Sequence, residues 1–191
     1  MKKIAFILMA VIFVTACTVT SSARQQPRFA YKQYPATRIN VATIEVRENY
    51  TMPMQSPNIE HLMPLPLPQA FADWARTRFV ATGTTGTMII TISQANVLRK
   101  DLPRTDGVKG WFTVDQAERY DARSVVEIKF EGLPQQDGSG VVNVTRGQTI
   151  GENASIQERD QAWNRMSETM LTDLDAATQK LLQDRMGFAL N

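Results

Sequence analysis

The side chains best suited to nucleophilic or metal chemistry are scarce in this chain of 191 residues, which contains one cysteine, Cys17, and one histidine, His61. A cysteine nucleophile needs a base beside it, and a structural zinc site needs several cysteine or histidine ligands. His61 lies in a segment rich in proline and methionine, well separated in sequence from Cys17. We therefore predict neither a Cys–His pair nor a clustered zinc site, and no metal or other cofactor.

Other catalytic patterns are also missing from the sequence. It has no Gly-x-Ser-x-Gly elbow and no phosphate-binding loop, and residues 83–86 (GTTG) are better explained as a helix stop followed by a turn. Asp173 and Asp175 are two positions apart on a predicted helix, so their carboxylates should not face one site, and we expect them on a solvated face. We predict that the protein is not an enzyme.

The residues before Cys17 predict its role. Lys2 and Lys3 form a basic end, and residues 4–14 are an unbroken apolar run of about eleven residues, the length of a secretory signal and short of the ~20 that a membrane-spanning helix needs. Small residues stand directly before Cys17, with no polar region between. We predict a signal peptide over residues 1–16; the alternative is that Cys17 is an ordinary cysteine within the apolar run.

The stretch Val14-Thr15-Ala16-Cys17 resembles the lipobox of bacterial lipoproteins. The resemblance implies that the Cys17 thiol is diacylated, that the chain is cut before it, and that the new amine is usually acylated too. Each buried methylene contributes about 0.8 kcal/mol, so two or three acyl chains attach the protein stably to a membrane. Thr18 stands where lipoproteins retained at the inner membrane often carry aspartate, so the resemblance favours an outer-membrane location, on the periplasmic face.

Charge and cysteine usage after such a cleavage exclude two further classes. Removing Lys2 and Lys3 from the 21 basic residues leaves 19, against 19 acidic residues. A chain without net charge has no electrostatic footprint for nucleic acid, so we predict none as a partner. An acylated Cys17 leaves no thiol for a disulfide, and stability must come from an apolar core, which ~155 residues can supply as one domain.

Composition divides the remainder into a tether and a domain. Residues 17–36 are polar with no sustained period, so we predict a lipid-anchored flexible tether that ends in Tyr31 and Tyr34, both packed on the domain edge. A single α+β domain should follow over residues 37–191. Its segment 49–67 contains four prolines among methionines and leucines, which we expect to cover the core or to form a docking surface.

Hydrophobic periodicity predicts the elements of that domain. Alternation predicts strands over residues 39–48, with a change of phase at 42–43, over 87–99, over 120–132 and from 141 onward. Spacing by three and four predicts a helix from Pro68 to a stop at Gly83, with Trp74 and Phe79 in the core, and a helix of about 30 residues that starts at a Ser155–Glu158 capping box and ends before Gly187. At ~45 Å the second helix could overhang a sheet of six-residue strands or continue onto a partner.

The predicted order is β-α-β-β-β-α. Each helix has one apolar face and the later strands have one polar face, which indicates a two-layer sandwich of about four mostly antiparallel strands with two helices on one face.

The most promising candidate for binding is the connection between the second and third predicted strands, residues 99–119, which at about 20 residues is longer than usual. Cations there could meet phosphate or headgroup oxygens while an aromatic ring inserts or stacks. In the alternative, the aromatic residues fold back over the open end of the sandwich and the charges only confer solubility. The candidate binding residues are Arg99, Lys100, Arg104, Lys109, Trp111 and Phe112.

The layout of lipid anchor, polar tether and element order is similar to that of the outer-membrane lipoprotein of lipopolysaccharide transport and of the auxiliary lipoproteins of ABC-type lipid transport systems. The stretches FTVDQAERYDAR and QERDQAWNRM also resemble a family of small uncharacterised proteobacterial lipoproteins. These resemblances imply a binding or accessory subunit in envelope lipid or lipopolysaccharide transport or assembly. Its partners would be a barrel or transporter protein, with lipid or lipopolysaccharide as a candidate ligand. The alternative is a structural or stress lipoprotein that contacts peptidoglycan or another envelope protein.

Overall fold

The computed structural model describes residues 27–103, 116–134 and 137–190. These residues form two α-helices and six strands, and both predicted helices are present. In chain order the elements are β1 (Thr37–Ile39), β2 (Thr43–Glu48), α1 (Leu67–Arg78), β3 (Phe79–Ala81), β4 (Thr87–Asp101), β5 (Gln116–Glu131), β6 (Gly138–Gly151) and α2 (Ile156–Arg185).

The main sheet has four strands in the order β2-β4-β5-β6, and a second sheet pairs β1 with β3. Strands β4, β5 and β6 form two antiparallel hairpin pairs, whereas β2 runs parallel to β4 and β1 parallel to β3. The helices contact each other through Trp74 and Asp175, so they lie on the same face of the main sheet. The predicted α+β fold is confirmed, with a small sheet in addition.

The first predicted strand is two strands in different sheets. The chain turns between them, where the Val41 amide donates to the Ile39 carbonyl oxygen at 2.9 Å. Val41 is fully buried, and the Asn40 amide is held by the carbonyl oxygen of Ala189 at 2.8 Å. The change of phase at residues 42–43 therefore marks a crossing from one sheet to the other.

The first helix ends earlier than predicted, at Arg78, because Phe79 is already extended with φ −122° and ψ 138°. Residues 79–81 pair with β1 as the third strand, which the sequence did not predict. Gly83 lies beyond this strand, where a Cβ atom would stand 2.6 Å from the Asn40 carbonyl carbon. Gly83 thus permits a close approach of two chain segments and does not stop the helix.

The central strands are much longer than six residues. Strand β6 has 14 residues, or ~46 Å at 3.3 Å per residue, and α2 has 30 residues, or ~45 Å at 1.5 Å per residue. The helix packs along the strand at both ends: Ala162 lies beside Ile150, and Leu181 lies over Gly140. The prediction that this helix overhangs the sheet is wrong because the strands are as long as the helix.

The predicted capping box is confirmed at the start of α2. The Glu158 amide donates to Ser155 Oγ at 3.2 Å, and the Ser155 amide donates to Glu158 Oε2 at 2.7 Å. These hydrogen bonds, the one from the Ser155 backbone above all, lower the pKa of the Glu158 carboxyl.

The core lies between the sheet and the helices. The predicted alternation of β5 is confirmed, since every second residue from Tyr120 to Phe130 is buried. Trp74 and Phe79 are core residues as predicted, with ring centroids 5.4 Å apart at an angle of 86°. Tyr120 contacts Trp163 of α2 in the same edge-to-face manner at 5.6 Å.

The segment rich in proline and methionine covers the outer edge of β4 beyond β2. The Ile59 amide donates to the Val97 carbonyl oxygen at 3.0 Å, and the Arg99 amide donates to the Pro57 carbonyl oxygen at 2.9 Å. Glu60 is fully buried, and its Oε1 accepts hydrogen bonds from Tyr50 Oη at 2.7 Å, Asn58 Nδ2 at 2.8 Å and the Val97 amide at 2.9 Å. The segment is therefore part of the domain, although Met54 is 61% exposed.

Residues 27–36, which the sequence assigned to the tether, pack against the two helices. Phe29 and Tyr31 are buried, and the Ala30 amide donates to Glu168 Oε1 of α2 at 2.9 Å. Burial raises the pKa of Tyr31 to about 12. The packed part of the chain thus begins about ten residues before β1.

A buried ion pair joins this segment to both helices. Arg78 Nε donates to Asp175 Oδ1 at 2.7 Å, and Trp74 Nε1 donates to the same oxygen at 2.9 Å. The Arg78 guanidinium also donates to the Pro35 carbonyl oxygen and to Thr37 Oγ1. The prediction that Asp175 lies on a solvated face is wrong, because helical spacing does not reveal a partner on another helix.

Candidate functional site: a cationic cluster on the open face of the sheet

No helix of the described residues packs on one face of the main sheet, and we call it the open face. Side chains alternate along a strand, and Tyr120, Ala122 and Ser124 are buried on the helix side. Arg119, Asp121 and Arg123 of β5 therefore lie on the open face.

The antiparallel register of β4 brings further polar groups to these β5 residues. Lys100 pairs with Arg119, and Asn96 pairs with Arg123. On the other side of β5, Thr145 and Gly147 of β6 pair with Arg123 and Asp121. The result is a shallow groove across three strands, near the end of the sheet where β4 finishes and β5 begins.

Arg119, Asp121 and Arg123 line this groove, and Lys100 lies beside it against Asp121; we call these four residues the cationic cluster. Arg146 also lines the groove, but it pairs with Asp173 of α2. Lys100 Nζ donates to Asp121 Oδ2 at 2.8 Å, and Arg119 Nε donates to Asp121 Oδ1 at 2.7 Å. These contacts, the one from Lys100 first, lower the pKa of the Asp121 carboxyl. The carboxylate therefore stays ionised and holds two of the three cations in place.

The third cation has no such partner. Among the described residues, Arg123 is exposed and makes no hydrogen bond or ion pair. Its cross-strand neighbour Asn96 accepts a hydrogen bond from Gln94 Nε2 at 2.6 Å, and the nearest acid further along the same strand face, Glu127, accepts one from Ser93 Oγ at 2.7 Å. No described residue therefore occupies any of the five guanidinium donors of Arg123.

A glycine makes room for the neighbouring arginine. A Cβ atom on Gly147 would lie 2.8 Å from Arg119 Nη2 and 3.4 Å from Asp121 Oδ1. The guanidinium of Arg119 therefore lies low over β6, beside the groove that Arg123 borders.

The predicted binding residues Arg99 and Lys100 belong to β4, since they pair with Tyr120 and Arg119 of β5. They face opposite sides: Lys100 joins the cationic cluster, whereas Arg99 lies 4.0 Å from Glu118, which in turn contacts Arg159 of α2. The connection between β4 and β5 is shorter than the predicted 99–119, because residues at both of its ends pair with each other and extend the two strands. The other candidates, Arg104, Lys109, Trp111 and Phe112, lie outside the described residues.

Sequence reasoning missed Arg119, Asp121 and Arg123 as a site. Their alternation with buried residues was visible, but charges on the polar face of a half-buried strand are ordinary. Only the register with β4 and β6 shows that these residues lie together with Lys100 on one face of the sheet.

The described residues contain no group of three or more histidine, cysteine, aspartate or glutamate side chains that could hold a metal ion. His61 lies in a short 3-10 turn, Glu60–Leu62. No helix in the described ranges is long and apolar enough to cross a membrane.

No protein-family model matches the chain, and no curated protein matches it in sequence. Several solved structures are similar to it at low identity. Rare lipoprotein B from Shewanella oneidensis is 9% identical with a TM-score of 0.39, over 74% of this chain and 94% of that one.

A minor lipoprotein from Acinetobacter baumannii is 10% identical with a TM-score of 0.36, over 77% of this chain and 92% of that one. A Xanthomonas campestris protein of the family DUF330 is 11% identical with a TM-score of 0.32, over 78% of this chain and 86% of that one. At these identities and TM-scores, none of the three assigns a family or a function to this chain.

Proposed function

We propose that this chain is a non-enzymatic outer-membrane lipoprotein that acts as a binding or accessory subunit in envelope lipid or lipopolysaccharide transport or assembly. The lipobox residues 14–17 carry this proposal. Acylation of Cys17 would confine the domain to a membrane surface, where two or three acyl chains give a stable attachment.

The position of Cys17 relative to the packed domain supports the proposal. Phe29, which is buried in the core, lies twelve positions after Cys17. Fully extended, twelve residues reach at most about 43 Å, so the domain would work within that distance of its membrane. The open face, on which no helix of the described ranges packs, would be the surface for a ligand or partner there.

The anchor is tested by replacing Cys17. Cells expressing wild type, Cys17→Ser or the matched control Thr18→Ala are labelled with a radioactive fatty acid, and the membrane and soluble fractions are compared. We expect label and membrane attachment in wild type and Thr18→Ala only. Fatty-acid label on the Cys17→Ser protein would contradict the anchor.

The accessory role is tested by crosslinking in cells, extraction in detergent and mass spectrometry of the proteins and lipids that remain attached. A barrel or transporter protein, or a lipid, should be recovered with the wild type. Recovery of peptidoglycan alone, under conditions that retain other envelope complexes, would instead favour a structural role.

A further inference from the structure

We propose that the cationic cluster binds the phosphate of a phosphomonoester lipid headgroup, with Arg123 as the principal ligand-binding residue. This inference rests on the proposed function, since it names the class of ligand that a membrane-held accessory protein would take. It concerns the open face, whose polar side chains belong neither to the core nor to the lipid anchor.

The charge of the cluster matches that class of ligand. The cluster contains three cations and one carboxylate, so it has an excess of two positive charges; only Lys100 and Arg119 contact the carboxylate of Asp121. A phosphate monoester carries about −1.5 to −2 at neutral pH, whereas a diester carries one charge. The monoester thus neutralises the cluster nearly completely.

The arrangement of donors also fits a phosphate. Asp121 contacts Lys100 through Nζ and Arg119 through Nε, and these ion pairs hold both side chains in place beside the groove. Arg123 has no partner among the described residues and offers the planar pair of N–H groups that binds phosphate oxygens in a bidentate manner. Thr145, across from Arg123 on β6, adds a hydroxyl donor.

The groove has an apolar flank as well, which favours a lipid over a free phosphate. Leu98 pairs with Asp121 and Val125 pairs with Gln94 on the open face, and both apolar side chains are half-buried. They border the cluster on either side of Arg123 along the sheet. A ligand with a phosphate and an adjoining glycerol or acyl segment would contact both kinds of surface.

The direction of the open face is consistent with this use. Residues 27–36 pack on the helices, on the helix side of the sandwich. The cationic cluster lies on the other side of the sheet. These described residues before β1 therefore do not cover the groove.

The test is a calorimetric titration of the acylated full chain in non-ionic detergent with dihexanoyl phosphatidic acid, a short-chain phosphomonoester lipid. Arg123→Gln is compared with Arg38→Gln, a matched control because Arg38 is also an exposed strand arginine without a partner among the described residues. We expect Arg123→Gln to weaken binding about tenfold or more, since a charge-assisted hydrogen-bonded contact is lost, and Arg38→Gln to stay within about twofold. Gly147→Ala, which displaces Arg119, should also weaken binding.

Several outcomes would overturn the inference. Equal loss in Arg123→Gln and Arg38→Gln would show non-specific attraction, and equal binding of dihexanoyl phosphatidylcholine would show that the phosphomonoester is not recognised. Equal affinity for inorganic phosphate would show that the lipid part of the ligand does not contribute to binding. Displacement of the lipid by a glutamate-rich peptide would favour an acidic protein partner instead. Because acylation of Cys17 is measured separately, failure here is distinguishable from failure of the anchor.

Discussion

Replacing Asp175 with alanine tests the buried ion pair that joins α1, α2 and residues 34–37. The side chains of Arg78 and Asp175 are only 10% and 9% exposed. The substitution removes the acceptor of Trp74 Nε1 and of two Arg78 nitrogens, and water cannot readily replace it. A buried cation would be left without its counter-charge.

The expected cost is substantial. Removing one partner of a buried ion pair costs about 3–5 kcal/mol. Arg78 keeps the Pro35 carbonyl oxygen and Thr37 Oγ1 as acceptors and the Tyr34 ring 5.7 Å from its guanidinium carbon. We therefore expect the low end, about 3 kcal/mol, which for a domain of this size lowers the melting temperature by about 6–12 °C.

Urea denaturation followed by circular dichroism measures the free energy of unfolding, with Asp173→Ala as the matched control. Asp173 lies two residues away on the same helix and pairs with Arg146, with side chains 34% and 43% exposed. A pair this exposed contributes about 0–1 kcal/mol. If Asp175→Ala costs no more than Asp173→Ala, the buried pair does not stabilise the fold and the reasoning is refuted.

Two further substitutions test other buried or capping groups. Glu60→Ala leaves the hydroxyl of Tyr50, the side-chain amide of Asn58 and the Val97 N–H without their acceptor, so the free energy of unfolding should fall by more than about 2 kcal/mol. Glu60→Gln keeps an acceptor and should lower the free energy of unfolding by less. Equal losses of the two variants in urea denaturation would contradict this. Glu158 has a lowered pKa in the folded state, so its stabilisation is fully present above the unfolded pKa of about 4.3 and is lost as the pH falls through the folded value. The difference in melting temperature between wild type and Glu158→Gln should therefore shrink at acid pH, and a difference that does not change with pH would disprove the linkage.

The main architecture could be predicted because each element carries a local signal. The alternation from Tyr120 to Phe130 predicted which face of β5 is buried, and the Ser155–Glu158 pattern located the start of α2. These signals are strong because β5 is exposed to solvent on one face and because the two residues of the capping box are three positions apart in sequence.

The remaining features depend on contacts between distant segments. Strand β3 follows α1 without a break, and Phe79, its first residue, also fits the helical spacing. The role of Asp175 depends on Arg78, 97 residues away, and the grouping of Lys100 with Asp121 depends on strand register. Periodicity contains none of this information, so the candidate site emerged only from the fold.

The attachment of residues 27–37 determines how mechanical load would travel through an anchored molecule. A pull on the described chain from its N-terminal side would enter through Phe29 and Tyr31 and then through the contacts of Arg78 with Pro35 and Thr37, which join this segment to the helices. The ladder of β4, β5 and β6 lies outside this path. A membrane that bends or drifts would therefore strain the helical side first, while the shape of the open face is preserved.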